Sequence, residues 1–169
     1  MRTLLLTALI VAWTPAWGQK LDLNFDAVAA KAREKTEVDL DGSALATLLK
    51  TVKNQKLGDL ASGLTGVFVR NYEFDNSGAF SDRDLEPLRK QVASGSGWTR
   101  VVNVKETNES TEIYMFGGGT SPAFLIISAE PKELTVVHVL GTIQIAQLPQ
   151  LEELVQSTIQ YHTNKPVAN

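Results

Sequence analysis

Apolar side chains recur at intervals of three or four residues in four parts of the chain, which is the spacing of an amphipathic helix. The four stretches lie at residues 25–32, 45–52, 85–92 and 148–159. Asn24 and Ser43 precede the first two stretches and are residue types that cap helix N-termini. We therefore predict a first helix that ends near Lys35 and a second helix that follows Ser43, with a loop at residues 58–63 after it.

Two prolines place the remaining helices. Pro87 has no N–H to donate and is tolerated best in the first helical turn, so the third helix is predicted to begin near Asp84, later than Ser81 alone would suggest. The last helix is predicted to follow Pro149 and to end before a loose tail at residues 163–169.

Strand patterns occupy the middle of the chain. Leu64 to Phe74 is rich in β-branched and aromatic residues, with Phe68, Arg70 and Tyr72 on one face and Val67 and Val69 on the other. Four further candidates follow: Trp98 to Lys105, Glu112 to Phe116, Ala123 to Ala129 and Leu134 to Leu140. Thr36 to Asp41 alternates and fits either a short strand or an extended link.

These elements predict an α+β fold. Short polar or glycine-rich connections between the four later strands predict antiparallel hairpins. We expect an antiparallel sheet, mainly a four-stranded meander plus one earlier strand, with the helices packed mostly on one face and a mixed polar face opposite. The strand that contains Phe124 to Ile127 is continuously apolar and should lie in the interior of the sheet.

The first eighteen residues fit a secretory signal peptide. Arg2 supplies the positive charge, Leu4 to Trp13 forms a short apolar segment, and Ala16 and Gly18 are the small residues that a signal peptidase requires. An uncleaved anchor is the alternative, but a spanning helix needs about 20 apolar residues. We expect cleavage after Gly18, export to the periplasm or beyond, and a single domain at residues 19–162 without an integral membrane segment.

Composition narrows the function classes further. The chain has 169 residues, of which 43% are hydrophobic and 21% charged, and its formal net charge is −3. No basic run is present, which disfavours nucleic-acid binding. The absence of cysteine excludes disulfides, thiol catalysis and cysteine-ligated metals.

Three residues are candidates for an interaction surface: Tyr114, Phe116 and His138. Tyr114 and Phe116 share one face of a strand, where aromatic side chains suit partner or sugar contacts and equally suit a core. His138 lies in the middle of a strand among aliphatic residues, so it fits a half-exposed strand residue as well as a base or a ligand.

Other motifs lack the partners that their chemistry requires. Asp39 and Asp41 resemble the start of a calcium loop, but the third acidic position and the bidentate glutamate are missing. Gly117 to Gly119 is followed by a strand and not by the helix of a phosphate loop. His138 and His162 lack zinc-ligand spacing, and no G-x-S-x-G elbow is present. We therefore predict no catalytic, cofactor-binding or metal residues and no cofactor.

Four ordered segments suggest a family. They are V-R-N-Y-E-F from Val69, D-L-E-P-L-R-K-Q from Asp84, G-W-T-R-V-V from Gly97 and E-P-K-E-L-T-V-V-H-V-L-G-T-I from Glu130. Together they resemble the domain of unknown function 4252, a family of small exported bacterial proteins, from about Phe25 to Tyr161. The resemblance implies an exported α+β domain and supplies no reaction, cofactor or catalytic residue. Many relatives are lipid-anchored, a route that needs a cysteine and does not apply to this chain.

Several functions stay open at this point. The first hypothesis is a non-enzymatic domain of the cell envelope that binds an envelope protein or a cell-surface component. The second is an enzyme or small-molecule carrier whose site assembles from scattered residues. The third is an accessory role in envelope signalling. A pocket with convergent polar groups near His138 would favour the second, whereas a flat exposed face with Tyr114 and Phe116 would favour the first. The sequence does not indicate an oligomeric state.

Overall fold

A computed structural model describes residues 20–49, 55–117, 122–143 and 145–147, together with residues 150 and 153. The predicted signal peptide, most of the predicted last helix, His162 and the tail at residues 163–169 lie outside these described residues. Within them, no helix has both the length and the apolar character that crossing a membrane requires.

The described chain alternates short helices with strands. In chain order the elements are α1 (Asp26–Ala29), β1 (Glu34–Asp41), α2 (Gly42–Leu49), α3 (Gln55–Ser62), β2 (Leu64–Glu73), α4 (Asp82–Ser94), β3 (Trp98–Lys105), β4 (Ser110–Phe116), β5 (Ala123–Glu130) and β6 (Glu133–Gly141). The predicted α+β class is confirmed. The predicted strands are present with small changes at their ends, and residues 36–41 belong to a strand and not to a link.

All six strands form one antiparallel sheet in the order β1-β2-β6-β5-β4-β3. The sheet is therefore a single six-stranded unit and not a four-stranded meander with one earlier strand beside it. β5 lies in the interior, as its continuous apolar run predicted.

Both faces of the sheet carry a hydrophobic core, so the prediction of helices mostly on one face was wrong. On one side, residues 20–26 and α4 cover the sheet with Leu23, Leu85 and Leu88; we call this side the α4 face. On the other side, α2 and α3 contribute Leu45 and Leu60. The physical reason lies in β5 and β6, whose apolar side chains point to both faces and need cover on each.

Three helix boundaries differ from the predictions. α1 is only four residues long, because the chain enters β1 at Glu34. Asp41, and not Ser43, caps α2: its Oδ1 accepts the backbone N–H groups of Ser43 and Ala44 at 3.0 and 2.9 Å. The predicted loop at residues 58–63 is mostly helix, since α3 continues to Ser62.

α4 begins earlier than Pro87 suggested. Ser81 precedes the helix, and its backbone N–H and its hydroxyl both donate to Asp84 Oδ2, at 2.8 and 2.9 Å. This capping arrangement fixes the start at Asp82 and leaves Pro87 inside the helix on its exposed side. Proline there forgoes one helical hydrogen bond, so local capping outweighs the positional preference of proline.

Candidate ligand-binding site

A cavity of about 800 Å³ opens on the α4 face near β1, one of the two edge strands of the sheet. Its floor is formed by β1, β2 and β6, and the N-terminal residues 20–26 form one wall. Its lining residues are Lys20, Leu21, Asp22, Leu23, Asn24, Phe25, Asp26, Glu37, Asp39, Phe68, Arg70 and His138. We refer to it as the N-terminal cavity.

The register of the sheet explains the centre of the floor. Asp39, Phe68 and His138 are direct neighbours on three adjacent strands, so they form one row across the α4 face. The rings of Phe68 and His138 lie 5.8 Å apart with a tilt of 30°. His138 is only 1% exposed and also lies against Trp98, with ring centroids 6.1 Å apart. The row thus runs from an exposed carboxylate to an aromatic interior.

Arg70, in the next row of the same face, forms an ion pair with Asp39. Arg70 donates from Nη1 to Asp39 Oδ1 at 2.6 Å and from Nη2 to Asp39 Oδ2 at 3.3 Å, which is a bidentate contact. Nη1 also donates to the carbonyl oxygen of Val69 at 2.9 Å. The Arg70 side chain is 15% exposed and that of Asp39 is 60% exposed. The guanidinium therefore lies against the floor with both Nη1 and Nη2 engaged.

Glu37 is held by a tyrosine below it. The hydroxyl of Tyr72, a residue that is 1% exposed, donates to Glu37 Oε1 at 2.9 Å. Burial, followed by the hydrogen bond and the charge of Glu37, raises the pKa of Tyr72 far above its ordinary value. The hydroxyl consequently stays protonated and acts as a donor. It orients a carboxylate whose other oxygen keeps its capacity to accept.

The N-terminal wall is fastened to α4. The backbone N–H of Asp22 donates to Gln91 Oε1 at 2.8 Å, and Gln91 Nε2 donates back to the Asp22 carbonyl at 3.0 Å. Leu21, Leu23 and Phe25 alternate with exposed residues and are buried. This alternation anchors the segment by its apolar side chains and leaves its polar side chains at the cavity.

The predicted interaction surface is not exposed. Tyr114, Phe116 and His138 are 8%, 6% and 1% exposed, so they form no flat outer surface. Phe116 packs against Trp98 with ring centroids 5.4 Å apart, and the Tyr114 hydroxyl donates to Glu112. Only His138 borders the cavity. The three residues share the α4 face, which residues 20–26 and α4 cover.

Asp39 and His138 do not form an acid–base pair with each other. Phe68 lies between Asp39 and His138 in the row, so the carboxylate and the imidazole belong to strands that are two strand spacings apart. Within the part of the chain that the structure describes, no three His, Asp or Glu side chains are grouped in a way that could hold a metal ion. The cavity combines an aromatic floor with several charged side chains.

Sequence reasoning did not find Glu37, Asp39 and Arg70 as site residues. The alternation of residues 36–41 and the assignment of Arg70 to the Phe68 face were visible, but the pairing of β1 with β2 was not. The available signal was three charged residues, two of them at alternating positions of one predicted strand and the third on the Phe68 face of the next. Charged side chains at such positions are rarely buried without a partner, so a mutual pair could have been proposed.

A comparison with family models bears on the whole sheet. The model for the domain of unknown function DUF4252 matches residues 30–151, which include all six strands and α2 to α4. The match begins after residues 20–26, so one wall of the cavity lies outside the matched region. No curated protein matches the chain. Since the matched region covers well over half of the chain, the protein belongs to the DUF4252 family.

Proposed function

We propose that this protein is an exported, non-catalytic binding protein of the cell envelope that holds a small organic ligand in the N-terminal cavity. The observation that carries the proposal is the cavity itself: about 800 Å³ of space with an aromatic floor and charged groups at its rim. Sites for small molecules typically have this size and this combination of apolar lining and a few polar groups. The cavity favours the small-molecule carrier among the hypotheses from the sequence.

Two observations support binding over catalysis. Phe68 separates Asp39 from His138, and Arg70 is engaged with Asp39 and backbone carbonyl groups. A general acid–base mechanism needs groups within hydrogen-bond reach of each other or of one substrate atom. Side chains that are already paired suit the role of a preorganised wall. A role with an envelope protein or a cell-surface component stays a prediction.

The binding proposal is tested by a fragment screen on the mature protein. We expect hits whose chemical-shift changes in ¹⁵N-labelled protein cluster at Phe68, Arg70 and His138. Phe68→Ala removes the central ring of the floor and should weaken a hit about tenfold, equivalent to about 1.4 kcal/mol. Val101→Ala, at an exposed position of β3 on the opposite edge of the sheet, is the matched control and should change nothing.

Each outcome of the screen decides the proposal. Hits that map away from the cavity, or that bind equally well to Phe68→Ala, overturn it, as does a diverse fragment set that yields no hit. If Phe68→Ala fails to fold, Phe68→Leu keeps an apolar side chain, and the shift mapping on the wild-type protein stands independently of either variant.

The export proposal is tested separately. The full gene is expressed with its own leader, and the protein from the periplasmic fraction is sequenced from its N-terminus. We expect Gln19 as the first residue, because Ala16 and Gly18 fit the cleavage site. Recovery of the chain only from the cytosol, with Met1 or Arg2 at its start, would refute export.

A further inference from the structure

We propose that the ligand of the N-terminal cavity is an organic cation, a molecule with an ammonium or guanidinium group on an apolar body. The inference rests on the proposed binding function and adds the chemical class of the ligand. It follows from the balance of charges around the cavity, from the state of Arg70 and from the apolar surface next to the carboxylates.

Negative charge is in excess at the cavity. Its lining contains four carboxylates and two cationic side chains. Arg70 neutralises Asp39 through the bidentate contact. Among the described residues, no salt bridge engages Asp22, Asp26 or Glu37. Arg70 is also the cross-strand neighbour of Glu37, but Arg70 and Lys20 together bring two positive charges against four negative ones, so a bound cation would meet a net attraction.

An anionic ligand would compete with Asp39 for the strongest donors of Arg70. Arg70 is the cation on the floor, and it already donates to both carboxylate oxygens of Asp39 and to the carbonyl of Val69. An anion that took the Nη1 and Nη2 donors would displace Asp39, and one that approached Arg70 elsewhere would still lie beside the Asp39 carboxylate. Displacement of one partner of a charged pair is costly where the pair is partly desolvated. The ion pair therefore selects against anions while the remaining carboxylates favour cations.

Apolar surface and carboxylate lie side by side. Glu37 is oriented by the Tyr72 hydroxyl at 2.9 Å, and Phe25 packs edge-on against the Tyr72 ring with centroids 6.2 Å apart. Phe68 continues the aromatic surface towards His138. An ammonium group can thus contact Glu37 or Asp26 while the apolar part of the same molecule lies against Phe25 and Phe68, the phenylalanines of the lining. A volume of about 800 Å³ accommodates a whole organic molecule of this kind.

The test uses three probes with one carbon skeleton: 4-phenylbutylamine, 4-phenylbutan-1-ol and 4-phenylbutanoate. Calorimetry and shift mapping on the mature protein should give the amine an affinity at least about tenfold above the alcohol, a difference of about 1.4 kcal/mol. The carboxylate should bind most weakly. Added salt should lower the affinity of the amine and leave the affinity of the alcohol unchanged, because salt screens only the interactions between charges.

Variants of the cavity carboxylates test which of them attracts the amine. Glu37→Gln keeps an acceptor for the Tyr72 hydroxyl and removes the negative charge; we expect it to lower amine affinity about fivefold and to spare the alcohol. Asp26→Asn should act in the same direction. Glu109→Gln, an exposed change on the β3–β4 connection, is the matched control and should leave all three affinities unchanged.

The outcomes separate this inference from the binding proposal. If the alcohol binds in the cavity as tightly as the amine, or Glu37→Gln and Asp26→Asn leave the amine unaffected, the cation preference is wrong and the binding site stands. If the carboxylate binds most tightly, the charge argument is overturned outright. If no probe shifts Phe68, Arg70 or His138 and the fragment screen is also empty, both proposals fall.

Discussion

A buried ion pair between α4 and the sheet offers a sharp test of how the α4 face is held together. Arg89 donates to Glu112 Oε1 from Nε at 3.0 Å and from Nη2 at 2.6 Å. The two side chains are 21% and 7% exposed. Tyr114 donates to the other oxygen of Glu112, and Arg100 lies 3.7 Å from it. Removal of Arg89 would therefore leave a nearly buried carboxylate with one hydroxyl and the half-exposed Arg100 as its partners.

The magnitude follows from that environment. Loss of one partner of a buried pair typically costs about 3–5 kcal/mol. Since Tyr114 and Arg100 still support Glu112, we expect Arg89→Met to cost about 2–3 kcal/mol, below that range. Glu112→Gln keeps the shape and leaves Arg89 with Asp82 at 3.1 Å, so about 1–2 kcal/mol is expected. The double variant should cost less than the sum, with a coupling of about 1–2 kcal/mol.

The assay is urea unfolding of the mature protein at pH 7, followed by circular dichroism, for the wild type, both single variants and the double variant. The control cycle is Arg33→Met with Glu73→Gln, a pair 2.7 Å apart whose side chains are 52% and 41% exposed. Its coupling should stay below about 0.5 kcal/mol. Equal coupling in the two cycles, or an Arg89→Met cost below about 0.5 kcal/mol, would refute the argument that burial makes the Arg89 pair strong.

Three further perturbations follow from single observations. Gly141 has φ of 121°, and a Cβ there would lie 2.4 Å from a backbone oxygen. Gly141→Ala should lower the free energy of unfolding in urea by at least about 2 kcal/mol. Gly117→Ala is the control and should change that free energy little, since a Cβ at Gly117 would meet open space. Leu88→Ala removes a side chain that is 2% exposed and should lower stability by about 2–5 kcal/mol, against under about 0.5 kcal/mol for the exposed Val101→Ala. Burial alone would raise the pKa of Glu112, but hydrogen bonds from Tyr114 and Arg89 and the arginine charges hold it below its ordinary value of 4.5. The contribution of the Glu112 carboxylate to the free energy of unfolding should therefore be complete at neutral pH and be lost as pH falls below about 4.5. Glu112→Gln should flatten that part of a curve of stability against pH.

The strands were predictable because their patterns are local. β3 begins and ends where the sequence placed it, and β4, β5 and β6 differ from prediction by one or two residues at their ends. Periodicity of two needs only neighbouring residues to be visible. Helix ends were less predictable, since Ser81 and Asp41 cap through specific side-chain hydrogen bonds that compete with the positional preferences of Pro87 and Ser43.

The cavity was not predictable from the sequence, because it depends on register and on a segment far away in the chain. Asp39 and Arg70 are 31 residues apart and meet only through the pairing of β1 with β2. Asp22 reaches the site because its backbone exchanges hydrogen bonds with Gln91, 69 residues away. Neither contact leaves a periodic trace along the chain.

One row of the sheet has a carboxylate near each end, and the surroundings of the two carboxylates differ. Glu37, Arg70, Val136, Ile127 and Glu112 are neighbours on β1, β2, β6, β5 and β4, so a carboxylate stands near each end of an apolar middle. Above Glu112, α4 supplies an arginine, and that carboxylate is buried and paired. Glu37, an exposed residue at the other end, receives the Tyr72 hydroxyl and, among the described residues, no arginine or lysine within salt-bridge distance. Arg70, the neighbour of Glu37 in this row, makes its bidentate contact with Asp39. A bound cation would therefore give Glu37 the direct ion pair that α4 gives Glu112, which is the physical reason to look for the ligand there.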